Sequence, residues 1–229
     1  MSRQLVETLT RFLARLFCRQ QIVPPPGIVK VNLGSGLRVA PDWINVDGSL
    51  SALIAHFPTP LQEVTYRFTS MQEFYSQAEY IAILKNNTFV FHNLAYGVPF
   101  PDHSVDYFYA SHLLEHLFKA EAERLLQDVL RALKKQGRIR IGVPDLEHAF
   151  KLYGRGAKEQ ALNLFFLPAG SGFLGRHEYM YDFDLLAASL ERTGFTQIER
   201  CEYQNGGVPD LNLLDHSPDQ TLFVEASKA

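Results

Sequence analysis

Residues 28–36 read Ile-Val-Lys-Val-Asn-Leu-Gly-Ser-Gly, and residues 43–48 read Trp-Ile-Asn-Val-Asp-Gly. The first is a short β-branched, apolar run cut off by two glycines, the pattern of a buried strand that ends in a tight turn. The second is another such run, and it ends on an acid. Outward from this pair the same signal recurs at 88–92, 105–110, 138–143, 197–203 and 221–226. Helical periodicity fills most of the intervals: 51–85, interrupted at Pro58 and Pro60, then 113–134, 146–164, and 183–193 closed by Gly194. Strands alternating with helices imply an α/β fold with a mainly parallel sheet covered on both faces. The last two strand runs are joined by a loop with no helix. They predict an antiparallel C-terminal edge strand, paired with its neighbour at one side of the sheet.

Bulk properties narrow the function classes. A chain of 229 residues has room for one good-sized α/β domain. A formal charge of -3 argues against non-specific nucleic-acid binding, which needs a basic field, so no nucleic-acid partner is expected. The two cysteines, Cys18 and Cys201, are far apart and in no ligand spacing, which reads as free thiols in a reducing, cytoplasmic setting. No apolar run approaches the roughly 18 residues of a membrane span.

Residues 2–20 read as an amphipathic helix, with Leu5, Leu9, Phe12, Leu13, Leu16 and Phe17 on one stripe and Arg3, Arg11, Arg15 and Arg19 largely off it. Pro24, Pro25, Pro26 and Gly27 make a stiff connector. The domain reading is therefore 1–27 for the helix and connector and 28–229 for the α/β body. The helix docks either on that body or on a second copy in a homodimer; a membrane-surface role is the sharper alternative.

In open α/β sheets a ligand binds beyond the carboxyl ends of the strands, where the strand order reverses. Those ends carry Asn32, Gly34, Ser35 and Gly36 after the first strand, and Asp47 and Gly48 after the second. Asn93 and Leu94 follow the third, Ser111 and His112 the fourth, and Asp145 the fifth. Glycine lets a ligand approach the backbone; a carboxylate at Asp47 can take two hydrogen bonds from a ribose diol. Gly-Ser-Gly lacks the third glycine of the dinucleotide fingerprint, so NAD fits poorly.

Four stretches, in order, resemble the class I S-adenosylmethionine (SAM)-dependent methyltransferases, the "type 11" group in particular. They are Val31 to Gly36, Trp43 to Asp47, Val98 to Asp106, and Ser111 to Leu117, with Leu133 to Arg138 as a weaker fifth. The resemblance implies a Rossmann-like, doubly wound sheet and SAM as the cofactor. Gly34, Ser35 and Gly36 would then line its methionine and ribose. Asp47 would hold the ribose hydroxyls, Asn93 and Leu94 the adenine, and Ser111 and His112 would flank the sulfonium. Two departures stand out: Asn93, where many relatives have Asp, and the long stretch from 48 to 92.

His112, Glu115 and His116 fall on one face of a helix by spacing. They are local architecture, a catalytic base, or a metal site. For zinc a further carboxylate ligand is wanted, and the position directly after a strand argues against a peptidase; no metal ligand is assigned from sequence. His112, His116 and Asp145 are the candidate catalytic groups. His177, Glu178, Tyr179 and Tyr181 follow a glycine-rich loop and are either substrate-facing or ordinary surface. The expected function is methylation of an O or N atom on a small-molecule, sugar or glycan-linked acceptor. The rivals are a non-catalytic SAM-binding partner protein and a zinc hydrolase.

Overall fold

The computed structural model describes residues 21–67, 70–166 and 176–229. The helix expected over 2–20, and Cys18 with it, lie outside the described residues. Seven strands form one sheet: β1 (Lys30–Leu33), β2 (Trp43–Asp47), β3 (Thr88–Phe91), β4 (Val105–Ser111), β5 (Leu133–Pro144), β6 (Thr196–Cys201) and β7 (Thr221–Ser227). Their spatial order is β3-β2-β1-β4-β5-β7-β6. The first five pair in parallel, and β7 runs antiparallel to both its neighbours. The antiparallel pair sits at one edge as expected, with β7 inside and β6 on the rim. Strand order reverses between β1 and β4, so the chain leaves those two strands in opposite directions and opens a crevice at their carboxyl ends.

The described helices are α1 (Leu50–Ile54), α2 (Thr59–Tyr66), α3 (Gln77–Asn86), α4 (Lys119–Ala132), α5 (Leu146–Gly154), α6 (Lys158–Phe165), α7 (Phe183–Thr193) and α8 (Leu211–Leu214). Three expectations need correction. The helix read over 113–134 is two pieces, a 3-10 turn at Leu114–His116 and then α4. The helix read over 146–164 is broken after Gly154, where Gly156 adopts φ +88. The last two strands are joined by a segment that does contain a helix, the short α8. None of the described helices is long and apolar enough to cross a membrane.

The two faces of the sheet differ. Val31, Leu33, Ile44, Val46, Ile139, Ile141, Leu222 and Val224 face one side. There α4 covers them with Leu125, Leu126 and Val129, and α7 with Leu186 and Leu190. Alternate residues point the other way. They include Asn32, Asn45, Arg140 and Glu225, all buried. Over the central part of this face lies the irregular segment 202–217, while α1 and α3 cover its β3 side, packing Ala52, Tyr80 and Leu84 on Phe89 and Phe91. Val208, Leu211 and Leu214 of that segment pack on Trp43 and Tyr109.

Arg140 explains how an irregular segment stays there. Its side chain is fully buried, and all five of its N–H donors have acceptors. Nε and Nη2 reach the two oxygens of Asp215 at 3.0 and 2.6 Å. Nη1 reaches Glu225 at 3.2 Å and the Asn205 carbonyl at 3.1 Å. Nη2 also donates to the Glu202 carbonyl at 2.8 Å. One guanidinium thereby ties β5 to β7 and to both ends of the covering segment. Asp215 accepts further bonds from Tyr109 Oη at 3.2 Å and from the Gln204 amide at 2.8 Å.

Removing Arg140 would strand two buried carboxylates. We therefore expect Arg140→Met to cost about 3–5 kcal/mol, read as a lower urea midpoint; an unchanged midpoint would contradict this account of the covering segment.

Candidate functional site

The turn after β1 is built for a left-handed backbone. Gly34 has φ +65 and Gly36 φ +52, where a Cβ is strained. A Cβ on Gly34 would meet Leu113 Cδ1 at 3.0 Å, whereas one on Gly36 would project into open space. The turn is held from below. The Gly34 amide donates to the Val46 carbonyl at 2.8 Å, and the Gly36 amide to Asp47 Oδ2 at 2.8 Å. The other Asp47 oxygen takes the Ser49 amide at 2.6 Å. Each carboxylate oxygen keeps lone-pair capacity for a further donor. Asn32 is buried and donates to the Arg38 carbonyl at 2.9 Å and to Asn45 Oδ1 at 3.1 Å, so it also braces the loop.

At the end of β3, Asn93 accepts from the Ala95 amide at 3.0 Å and caps a 3-10 turn. Leu94 is buried in the main apolar core. Gly48 lies against the His92 carbonyl, where a Cβ would sit at 3.5 Å.

The end of β4 is tighter. His112 stands in the left-handed region at φ 51, pinned by its amide donating to the Gly142 carbonyl at 2.9 Å. Gly142 permits this closeness, since a Cβ there would lie 2.7 Å from Ser111 Oγ. The spacing that suggested one helical face for His112, Glu115 and His116 does not hold, because the chain forms a 3-10 turn there. His112 and Glu115 still meet, with Nδ1 and Oε1 3.1 Å apart. His112 Nε2 is 3.1 Å from Thr221 Oγ1. His116 has its Nδ1 2.9 Å from the Arg176 carbonyl.

A cavity of about 190 Å³ opens at the switch point between β1 and β4. It brings together Asn32, Gly34, Ser35 and Gly36 from one strand end with Ser111 and His112 from the other. Asp47, Gly48, Asn93 and Leu94 are not in its lining. Asp145 and His116 are also outside it. Asp145 instead caps α5 through the Glu147 amide at 2.9 Å and meets Arg200 at 3.1 Å.

Three lining residues were not anticipated: Arg38, Tyr109 and His216. His216 stacks on His112 with ring centroids 4.8 Å apart. It follows Asp215, so the Arg140 network sets its position. Burial, then the neighbouring His112 and Arg38, push its imidazole down to about 4. No strand-end pattern marks it, because it arrives on the covering segment.

A family model described as a methyltransferase domain matches residues 64–141. The match runs from α2 into β5 and includes the ends of β3 and β4, but not the glycine turn. Among curated proteins none matches. A Thermotoga maritima structure described as a SAM-dependent methyltransferase, possible histamine N-methyltransferase, is similar with TM-score 0.52 and 16% identity. The alignment covers 99% of this chain and 94% of that one. An Archaeoglobus fulgidus SAM-dependent methyltransferase gives TM-score 0.49 and 17% identity, over 97% of this chain and 94% of that one. The Thermotoga likeness bears on the fold alone.

The residues present fit a SAM-sized ligand laid along the strand ends. Gly36 opens onto free space and the Asp47 oxygens keep acceptor capacity. The cavity, about 190 Å³, is smaller than the roughly 300–1,000 Å³ of ligand pockets, so it would hold only a portion of such a ligand.

Two outcomes follow. Gly36→Ala should cost about 1–2 kcal/mol through its left-handed backbone and weaken ligand binding; full stability by urea titration would refute the strain. His216 has a folded pKa below its unfolded one, so its contribution is complete above about pH 6.5 and is lost as pH falls toward 4. His216→Gln should flatten the pH dependence of the melting temperature in that window.

Proposed function

We propose that this chain, a SAM-dependent methyltransferase of class I fold with S-adenosylmethionine as its cofactor, methylates an O or N atom of a small-molecule, sugar or glycan-linked acceptor. The observation that carries the reading is the glycine turn, braced by Asp47, at the switch-point cavity.

Bound SAM supplies an activated methyl group for in-line displacement. The chain's own tasks are then orientation and exclusion of water. Asp47 accepts from the ribose diol with the lone pairs left over from the Gly36 and Ser49 amides. Asn93 Oδ1 takes the adenine amino group beside its cap. Gly34, Ser35, Gly36 and Ser111 form the wall next to the methionine. His112 is the base for a weakly nucleophilic acceptor. Its Nε2 faces the rotatable Thr221 hydroxyl. Asp145 caps α5, and His116 holds Nδ1 against the Arg176 carbonyl, so neither side chain is at the cavity.

The domain division at residues 27 and 28, a cytoplasmic setting and a homodimer through the N-terminal helix belong to the same proposal.

Calorimetric titration with SAM and S-adenosylhomocysteine tests the reading. We expect micromolar binding of both, weakened at least tenfold in Asp47→Ala, and acceptor-dependent formation of S-adenosylhomocysteine that falls about 10²–10⁴-fold in His112→Ala. Binding without turnover on any acceptor would favour the non-catalytic partner. No binding by the folded chain would sink the proposal.

A further inference from the structure

Glu115 is fully buried, and no hydrogen bond reaches either of its carboxylate oxygens. His112 Nδ1 stands 3.1 Å from Oε1 but without hydrogen-bond geometry. A buried carboxylate without a hydrogen bond is costly and is stabilised by a cation.

Two imidazoles converge on it. The ligand atoms of Glu115, His116 and His177 all lie within 4.8 Å of one another. The rings of His116 and His177 have centroids 5.1 Å apart. Each has Nδ1 against a backbone carbonyl, His116 at 2.9 Å from Arg176 and His177 at 2.7 Å from Leu164. A carbonyl only accepts, so each Nδ1 holds the proton and each neutral ring keeps its lone pair on Nε2. That is the tautomer and the supporting hydrogen bond found behind metal-bound histidines. The backbone also locks the two segments together, since the Glu178 and Tyr179 amides donate to the Glu115 carbonyl at 2.7 and 3.3 Å. The geometry cannot be read from the His-x-x-Glu-His spacing, because the third group, His177, arrives on a distant loop.

We propose that Glu115, His116 and His177 bind a divalent transition-metal ion of the zinc class. One carboxylate and two imidazoles suit that class. Three protein ligands leave a position for water or substrate. His112 links the cluster to the strand-end cavity, touching Glu115 on one side and lining the cavity on the other. Metal binding stands independently of the methyltransferase reading; only a role in holding the acceptor rests on it.

The full chain, stripped with a chelator and dialysed, would be titrated with Co²⁺ by visible absorption and with Zn²⁺ against a chromogenic chelator. SAM binding is measured in parallel by calorimetry. We expect one equivalent of Co²⁺ with d–d bands, displaced by Zn²⁺. His177→Ala and Glu115→Gln should each weaken affinity by more than the about 10–100-fold that a lost supporting hydrogen bond costs, with SAM affinity kept. Metal-free Glu115→Gln should melt no lower than the metal-free parent, because the change removes an uncompensated charge. Metal binding indifferent to His177→Ala would overturn the site. So would no binding below millimolar Zn²⁺ by chain that still binds SAM. A Glu115→Gln variant that melts lower without metal would instead show a structural His112–Glu115 ion pair and also overturn it. Failure to bind SAM with metal binding intact would fall on the methyltransferase reading alone.

Discussion

The guanidinium of Arg140 is the contact on which the site side of the molecule depends. A parallel sheet must have both faces covered, and here one face carries polar side chains. Helices bury apolar area only on its β3 side, against Phe89 and Phe91. Arg140 supplies directional bonds in place of apolar area: two to Asp215, one to Glu225 and two to backbone carbonyls of the covering segment. Every donor is satisfied, which is the condition under which a buried charge is tolerated. Trp43 uses the same device in the middle of the segment, donating to Asp210 at 2.8 Å, with Lys30 at the same carboxylate.

That solution couples the fold to the cavity. Asp215 is one residue from His216, and His216 stacks on His112. The position of an imidazole at the cavity wall is thus set by an ion pair on the sheet. The glycine turn has a separate support, Asp47, within its own pair of strands. The cavity lies where the two supports meet, and the left-handed residues Gly34, Gly36 and His112 gather there. Such backbone strain persists only where surrounding contacts over-determine it.

Glu115 shows the opposite economy. Its carboxylate is as buried as Arg140 but lacks the matching donors. Among the described residues it is the one buried charged side chain whose oxygens have no hydrogen bond, and it lies beside the catalytic candidate His112 and within reach of two histidines held by backbone carbonyls.

The sequence by itself determined the strands, their parallel sense and the positions of the residues at their carboxyl ends. These follow from local rules: β-branched runs, glycine breaks, and the period of alternation. Gly34, Gly36, Asp47, Ser111 and His112 were legible for that reason, since a strand end is marked in the chain itself. The breaks in the helices were less so. Nothing in the apolar pattern of 113–134 tells a 3-10 turn from a helical turn, and the difference depends on β4 closing against Gly142. Only the tertiary structure decided that His216 reaches the strand-end cavity and that His177 joins Glu115 and His116. Both are carried on irregular segments whose paths are set by long-range hydrogen bonds, and such bonds leave no periodic trace in the sequence.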